Sequence, residues 1–115
     1  MIEITSDPKA TYSNAYQLTW RLVYEDDGGA PVNIWEISYI PVLYTSNYTN
    51  NYVPVHGATP KTVEAKGDSL RMFRIEGLKA NTYYEVRIRA INAIGPGAST
   101  PIVISTLDGM FIFIL

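Results

Sequence analysis

The sequence contains no cysteine and a single histidine, His56. The absence of cysteine excludes disulfide frameworks and zinc or redox sites built on thiolates, and one loop histidine has no second imidazole with which to hold a metal. No apolar run reaches the 18 or more residues that a membrane-spanning helix needs. Nine Lys and Arg against eleven Asp and Glu leave a net charge of −2. The overall basic excess of a nucleic-acid-binding domain is therefore absent.

The composition that remains is typical of one folded domain. The chain has 115 residues, of which 47% are hydrophobic and 17% charged, and a chain of this size buries roughly two thirds of its unfolded surface. The opening stretch MIEITSDPKA lacks the basic start and apolar run of a signal peptide. We therefore expect either an intracellular protein or an excised piece of a longer one, and Met1 directly before the strand-like IEIT favours the second.

Apolar residues alternate with polar ones at a period of two in five stretches, while helical periodicity is nearly absent. Turn signals rich in Gly, Asp, Asn and Pro separate the stretches. Several short strands at such spacing predict an antiparallel sandwich or barrel. The residues predicted to face inward are Tyr16, Leu18 and Trp20; Trp35, Ile37 and Tyr39; Phe73, Ile75 and Leu78; Tyr84, Val86, Ile88 and Ala90; and Ile102 and Ile104.

A more specific pattern lies in residues 75–100, IEGLKANTYYEVRIRAINAIGPGAST. A Leu precedes a short turn that ends in Asn-Thr, and a Tyr, an alternating strand, Ala-x-Asn and a Gly-rich loop ending in Ser follow. These residues are Leu78, Asn81-Thr82, Tyr84, Ala90-x-Asn92, Gly95, Gly97 and Ser99. Upstream, Trp20 follows YQLT, and Trp35 follows DDGGAPVNI. In order, spacing and residue type the sequence resembles a fibronectin type III domain over roughly residues 2–107.

The resemblance implies an all-β fold, a seven-stranded antiparallel immunoglobulin-like sandwich over residues 2–107, with an apolar tail at 108–115 outside the domain. It also implies structural roles for three aromatic residues. Trp20 and Trp35 would fill the core. Tyr84 would form a tyrosine corner, in which the ring joins the core while the hydroxyl hydrogen-bonds to backbone upstream.

One departure from the family is a long insertion, PVLYTSNYTNNYVPVHGATP, at 41–60. Tyr44, Tyr48 and Tyr52 stand there among Thr, Ser and Asn, a composition typical of adaptable recognition loops. We predict partner contacts for these tyrosines, and the alternative is that they fold back over the sheet edge. Asn47-Tyr48-Thr49 is a sequon for N-glycosylation, which makes Asn47 a candidate glycosylation site and favours an extracellular origin.

No catalytic constellation is present in the sequence. The adjacent carboxylates Asp26-Asp27 precede two glycines and are explained as hairpin residues, and GPGAS has neither a helix N-terminus nor a Lys with which to hold a phosphate. Lys66-Gly67-Asp68 resembles an integrin-binding tripeptide, but its position between strands predicts a plain turn. The sequence thus predicts no enzyme, no cofactor and no metal site.

Arg87 and Arg89 alternate outward on one strand, with Arg21 or Arg74 as candidate neighbours. Such a basic stripe suits a sulfated sugar or an acidic partner. The alternative is a solvated face, or stacking on exposed aromatic rings.

The apolar tail MFIFIL allows four interpretations. It is the start of a truncated membrane or lipid-anchor segment, a segment that pairs molecules into a homodimer, a cloning remnant, or a C-terminus bound by strand addition. Partner contacts are predicted at Phe111, Phe113 and Leu115.

The resemblance implies a non-catalytic recognition and spacer module on the extracellular side of the cell surface, within a larger adhesion or receptor protein. Such a module binds partner proteins through loops and edge strands, and it meets the membrane only through its parent. A repeat of a titin-like intracellular filament and an accessory module of a secreted enzyme are the alternatives. No nucleic-acid partner is expected.

Overall fold

A computed structural model describes residues 1–23, 30–45 and 51–109, and all regular structure in these ranges is β-strand. The nine strands are β1 (Ile2–Ile4), β2 (Ala15–Leu22), β3 (Ile34–Tyr44), β4 (Tyr52–Pro54), β5 (Lys61–Lys66), β6 (Met72–Glu76), β7 (Tyr83–Asn92), β8 (Gly95–Pro96) and β9 (Thr100–Ser105). Short turns connect most of them, because the intervening segments are rich in Gly, Asn and Asp.

The strands form two antiparallel sheets. The smaller sheet has the order β1-β2-β6, and in the larger sheet β3 pairs with β7 at the centre. Both β4 and β5 pair with β3, and both β8 and β9 pair with β7. β4 and β5 share one position beside β3, and β8 and β9 share one position beside β7. The nine described strands therefore occupy seven positions in the two sheets. The predicted immunoglobulin-like antiparallel β-sandwich is confirmed.

The core lies between the sheets and follows from the alternation in the sequence. Side chains at alternate positions of a strand share a face, so the inward positions of β2, β3 and β7 meet in one cluster. Trp20 of the smaller sheet packs against Trp35 of the larger one, with ring centroids 5.3 Å apart. Full burial of a large apolar side chain stabilises a fold by about 1.5–3 kcal/mol, so these two rings are major contributors.

The indole of Trp35 also fixes the turn after β5. Its Nε1–H donates to the carbonyl of Gly67 at 2.8 Å, and the backbone N–H of Val32 donates to the carboxylate of Asp68 at 2.8 Å. Gly67 has a φ of +126°, a conformation that side-chain-bearing residues rarely adopt. Lys66-Gly67-Asp68 is thus a turn whose carboxylate is already bound within the domain.

The crossover between the sheets at residues 77–82 is fixed by Tyr84. Its ring is buried, and its hydroxyl accepts the backbone N–H of Lys79 at 2.9 Å. Nearby, the Thr106 hydroxyl accepts the N–H of Thr82 and donates to the carbonyl of Lys79. The turn that precedes β7 is therefore tied to the core and to the end of β9.

Replacing Tyr84 by Phe keeps the ring and leaves the N–H of Lys79 without its acceptor. A part-buried donor without a partner costs about 1–3 kcal/mol, and we expect the free energy of unfolding in urea to fall by that amount. Tyr83→Phe is the matched control, because this neighbouring ring is exposed, and its effect should stay within about 0.5 kcal/mol. Equal losses in the two variants would contradict the role given to the Tyr84 hydroxyl.

Candidate interaction surface

In the described part of the insertion at 41–60, the end of β3 pairs with β4, and these two strands form a hairpin that extends beyond the rest of the larger sheet. β3 continues to Tyr44, and β4 returns beside it with Tyr44 opposite Tyr52 and Val42 opposite Pro54. β7 begins at Tyr83, which lies opposite Val42. The strands of the hairpin past Val42 therefore have no β7 residue beside them.

Three tyrosines from three strands meet where this hairpin leaves the sheet. The Tyr44 ring contacts Tyr83 edge-to-face, with centroids 5.0 Å apart and an interplanar angle of 88°. It also contacts Tyr52, at 6.1 Å and 78°. Edge-to-face pairs at such distances are favourable, because the positive edge of one ring meets the negative face of the next. We call Tyr44, Tyr52 and Tyr83 the tyrosine face.

The tyrosine face lies on the outer side of the sheet, away from the core. Alternation along β3 puts Val42 and Tyr44 on the side opposite Pro41, and Pro41 pairs with the inward-facing Tyr84. Val42 is only 1% exposed although it does not belong to the core cluster. The rings thus stand over a small apolar base of their own, while Tyr44 and Tyr83 remain 40% and 46% exposed.

A charged network continues the tyrosine face along β7. The Tyr52 hydroxyl donates to the carboxylate of Glu85 at 2.5 Å, and Arg87 donates to the same carboxylate at 2.6 Å. Burial acts to raise the pKa of Glu85, but the hydrogen bonds from Arg87 and Tyr52 outweigh it and hold the pKa below its ordinary value. The hydrogen bond to Glu85 raises the pKa of the Tyr52 hydroxyl. Tyr52 is therefore fixed in place as a neutral donor.

The outward arginines do not make a positive surface. Arg89 donates to Glu36 on β3 at 2.7 Å, and Arg87 is paired with Glu85. Arg21 and Arg74 pair with Glu3 and Glu76 respectively. Exposed pairs of this kind contribute little to stability, but each neutralises a cation. A stripe that attracts sulfated sugars is therefore not formed by these four residues.

The structure brings together only part of the predicted contact set. Tyr44 and Tyr52 meet, whereas Asn47, Tyr48, Phe111, Phe113 and Leu115 lie outside the described residues. Tyr83 is the member that the sequence reasoning missed. Its signal was its position directly before the inward Tyr84, which turns it outward on the same strand.

The remaining predicted features are placed as follows. His56 is exposed in the turn between β4 and β5. In the part of the chain that the structure describes, no three His, Cys, Asp or Glu side chains are grouped so as to hold a metal ion. In the same residues no helix is long and apolar enough to cross a membrane.

The lowered pKa of Glu85 predicts an acid-sensitive contribution to stability. A carboxylate whose pKa is depressed by folding stabilises the native state above its unfolded pKa, and this contribution disappears as the pH falls through the folded value. Glu85→Gln should therefore lower the free energy of unfolding by about 1 kcal/mol near neutral pH. The difference in the free energy of unfolding between this variant and the parent chain should become smaller below about pH 4, as measured by urea unfolding across a pH series.

Glu3→Gln is the control for this series, because it removes the carboxylate of an exposed ion pair with Arg21. A gap between Glu85→Gln and the parent chain that is independent of pH would contradict the network at Tyr52, Glu85 and Arg87.

Comparison with known proteins agrees with this architecture. The family model of the fibronectin type III domain matches residues 6–106. No curated protein sequence matches the chain.

Among solved structures, the third fibronectin III domain of the human KIAA0343 protein is similar, with a TM-score of 0.67 and 18% identity over 96% of this chain and 82% of that one. A two-domain fibronectin type III segment of chicken tenascin has a TM-score of 0.63 and 22% identity, over 95% of this chain and 49% of that one. The twitchin kinase region of C. elegans has a TM-score of 0.60 and 22% identity, over 84% of this chain and 15% of that one. Because these identities are low, the similarities indicate a shared fold only. Because the family model covers most of the sequence, the chain belongs to the fibronectin type III family.

Proposed function

We propose that this chain is a non-catalytic recognition and spacer module of a larger adhesion or receptor protein at the cell surface. Fibronectin type III domains are generally non-catalytic modules found in adhesion molecules, receptors and titin-like proteins. The observation that carries the proposal is the tyrosine face, three clustered rings on the outer side of the sheet. A protein partner would bind there.

The chemistry of the tyrosine face suits a protein partner. Tyrosine is enriched among the residues that dominate binding energy at interfaces, because a large rigid ring buries much area at little cost in conformational entropy. The rings here are held by one another and by Glu85, so little order has to be gained on binding.

The rest of the hairpin adds apolar area. Leu43 and Val53 lie opposite each other on the other side of the hairpin, and they are 58% and 47% exposed. This apolar area lies next to the tyrosine face and would enlarge the surface that a partner contacts.

The similarity to the twitchin kinase region supports a second candidate, a spacer repeat in an intracellular filament of titin-like type. The two candidates differ in compartment. The sequon Asn47-Tyr48-Thr49 is a substrate for glycosylation only in the secretory pathway.

Binding is tested by attaching the full chain to streptavidin tetramers and measuring their binding to cultured cells by flow cytometry. Truncation of an aromatic hot spot costs about 2 kcal/mol or more, so Tyr44→Ser with Tyr83→Ser should weaken binding by more than about tenfold. Tyr12→Ser is the control, because Tyr12 is exposed but packs over Arg74, outside the tyrosine face. Equal binding by all variants would contradict the proposed surface.

The compartment is tested on the native protein by intact mass. We expect a glycan on Asn47, seen as a mass excess that peptide N-glycosidase removes. A recombinant Thr49→Ala variant, which lacks the sequon, should show no such excess when it is secreted from the same cells as the parent chain. Native protein without the glycan would favour the filament candidate.

A further inference from the structure

A cavity of about 320 Å³ lies between the start of β5 and the turn that follows β6. Here both sheets end, since β5 pairs with β3 alone and β6 pairs with β2 alone among the described strands. One wall is the connection between β4 and β5 at residues 57–59, and the other is the turn at 77–79. The inward-facing residues Tyr39, which is partly exposed, and Tyr84, which is buried, also line it. The cavity is separate from the tyrosine face, which lies on the outer side of the larger sheet.

The wall formed by the β4–β5 connection is fixed by its own hydrogen bonds. The N–H of Val55 donates to the carbonyl of Pro41 at 2.9 Å, and the N–H of Ala58 donates to the carbonyl of Val55 at 2.9 Å. Gly57 lies between them with a φ of +79°, where glycine carries no steric cost. This wall therefore has a defined shape.

The opposite wall is equally constrained. The N–H of Leu78 donates to the carbonyl of Asn14, and the N–H of Lys79 donates to the Tyr84 hydroxyl, each at 2.9 Å. Tyr84 in turn packs edge-to-face on Tyr39, with centroids 6.4 Å apart. The cavity is thus largely preformed, as binding sites for small molecules usually are.

The charges around the cavity are all of one sign. Lys61 and Lys79 line it from the two walls, and none of the lining residues is acidic. Neither lysine forms an ion pair with another described residue, whereas Arg21, Arg74, Arg87 and Arg89 are each paired with a glutamate. The lining therefore combines aromatic residues with two ammonium groups and contains no carboxylate.

We propose that this cavity binds a small planar anion, an aromatic ring that carries one carboxylate or phosphate group. The ring would pack against the partly exposed Tyr39, next to the buried Tyr84, and Lys61 and Lys79 would hold the anionic group. The volume is at the lower end of the roughly 300–1,000 Å³ that small-molecule sites occupy, which favours a ligand of one or two rings. The proposal does not depend on binding of a protein at the tyrosine face.

The test uses 2-naphthoate and 2-naphthyl phosphate as probes of the two anion types, and uncharged 2-naphthalenemethanol as their control. Each probe is titrated into the full chain while backbone amide shifts are followed by NMR. Probe concentrations up to about 10 mM are used, so that weak binding is also detected. Saturable shifts are expected at 57–59, 61 and 77–79 with an anion. The stronger of the two probes identifies whether carboxylate or phosphate is preferred.

Two double variants of equal net charge decide the role of the lysines. Lys61→Gln with Lys79→Gln should weaken binding of the anion by about tenfold or more, since two charge-assisted contacts are lost. Lys9→Gln with Lys66→Gln should leave it unchanged, because these exposed lysines do not line the cavity. All four side chains are exposed, so both variants should fold, and their amide spectra verify this.

Three results would overturn the proposal. They are the absence of saturable shifts at the cavity with either anion, equal affinity for the uncharged probe, and equal weakening in the two double variants. The last would show general attraction of anions to the surface rather than a site.

Discussion

Nine antiparallel residue pairs between β3 and β7, from Ile34–Ile91 to Val42–Tyr83, set the positions of the side chains on both sides of the larger sheet. On the inner side this pairing aligns Trp35, Ile37, Val86 and Ile88, all of which are fully buried. On the outer side it aligns Glu36 with Arg89 and Val42 with Tyr83. A slip of one residue between the two strands would turn the side chains of one strand to the opposite side relative to those of the other. The core and the tyrosine face are therefore held by one register.

The ends of this pairing explain where the candidate sites lie. β3 is longer than its pairing with β7, so Tyr44 projects beyond the sheet and meets Tyr83 at the corner. The partner strand on the other side is broken into β4 and β5, and the connection between them forms a wall of the cavity lined by Lys61 and Lys79. The segment 41–60 thus contributes to both features, with Tyr44 and Tyr52 in the tyrosine face and residues 57–59 in the wall of the cavity.

Much of the fold could be predicted from local pattern, because a half-buried strand records its buried side in every second residue. The inward sets that include Trp20, Trp35 and Val86 illustrate this. The tyrosine face could be predicted only in part, since Tyr44 and Tyr52 lie close in sequence whereas Tyr83 is brought to them by pairing with a distant strand. The pairs of Arg89 with Glu36 and of Arg21 with Glu3 depend on register in the same way. Local alternation therefore shows which residues point outward but not which of them meet.

The β3–β7 register joins Tyr44 and Tyr83 into one surface, and a double-mutant cycle on these two residues measures the coupling between them. The free energy of unfolding is measured for the parent chain, Tyr44→Ala, Tyr83→Ala and the double variant. Edge-to-face aromatic pairs couple by about 0.5–1.5 kcal/mol, and we expect a favourable coupling energy in that range. Losses that simply add, with no coupling between the two positions, would contradict it.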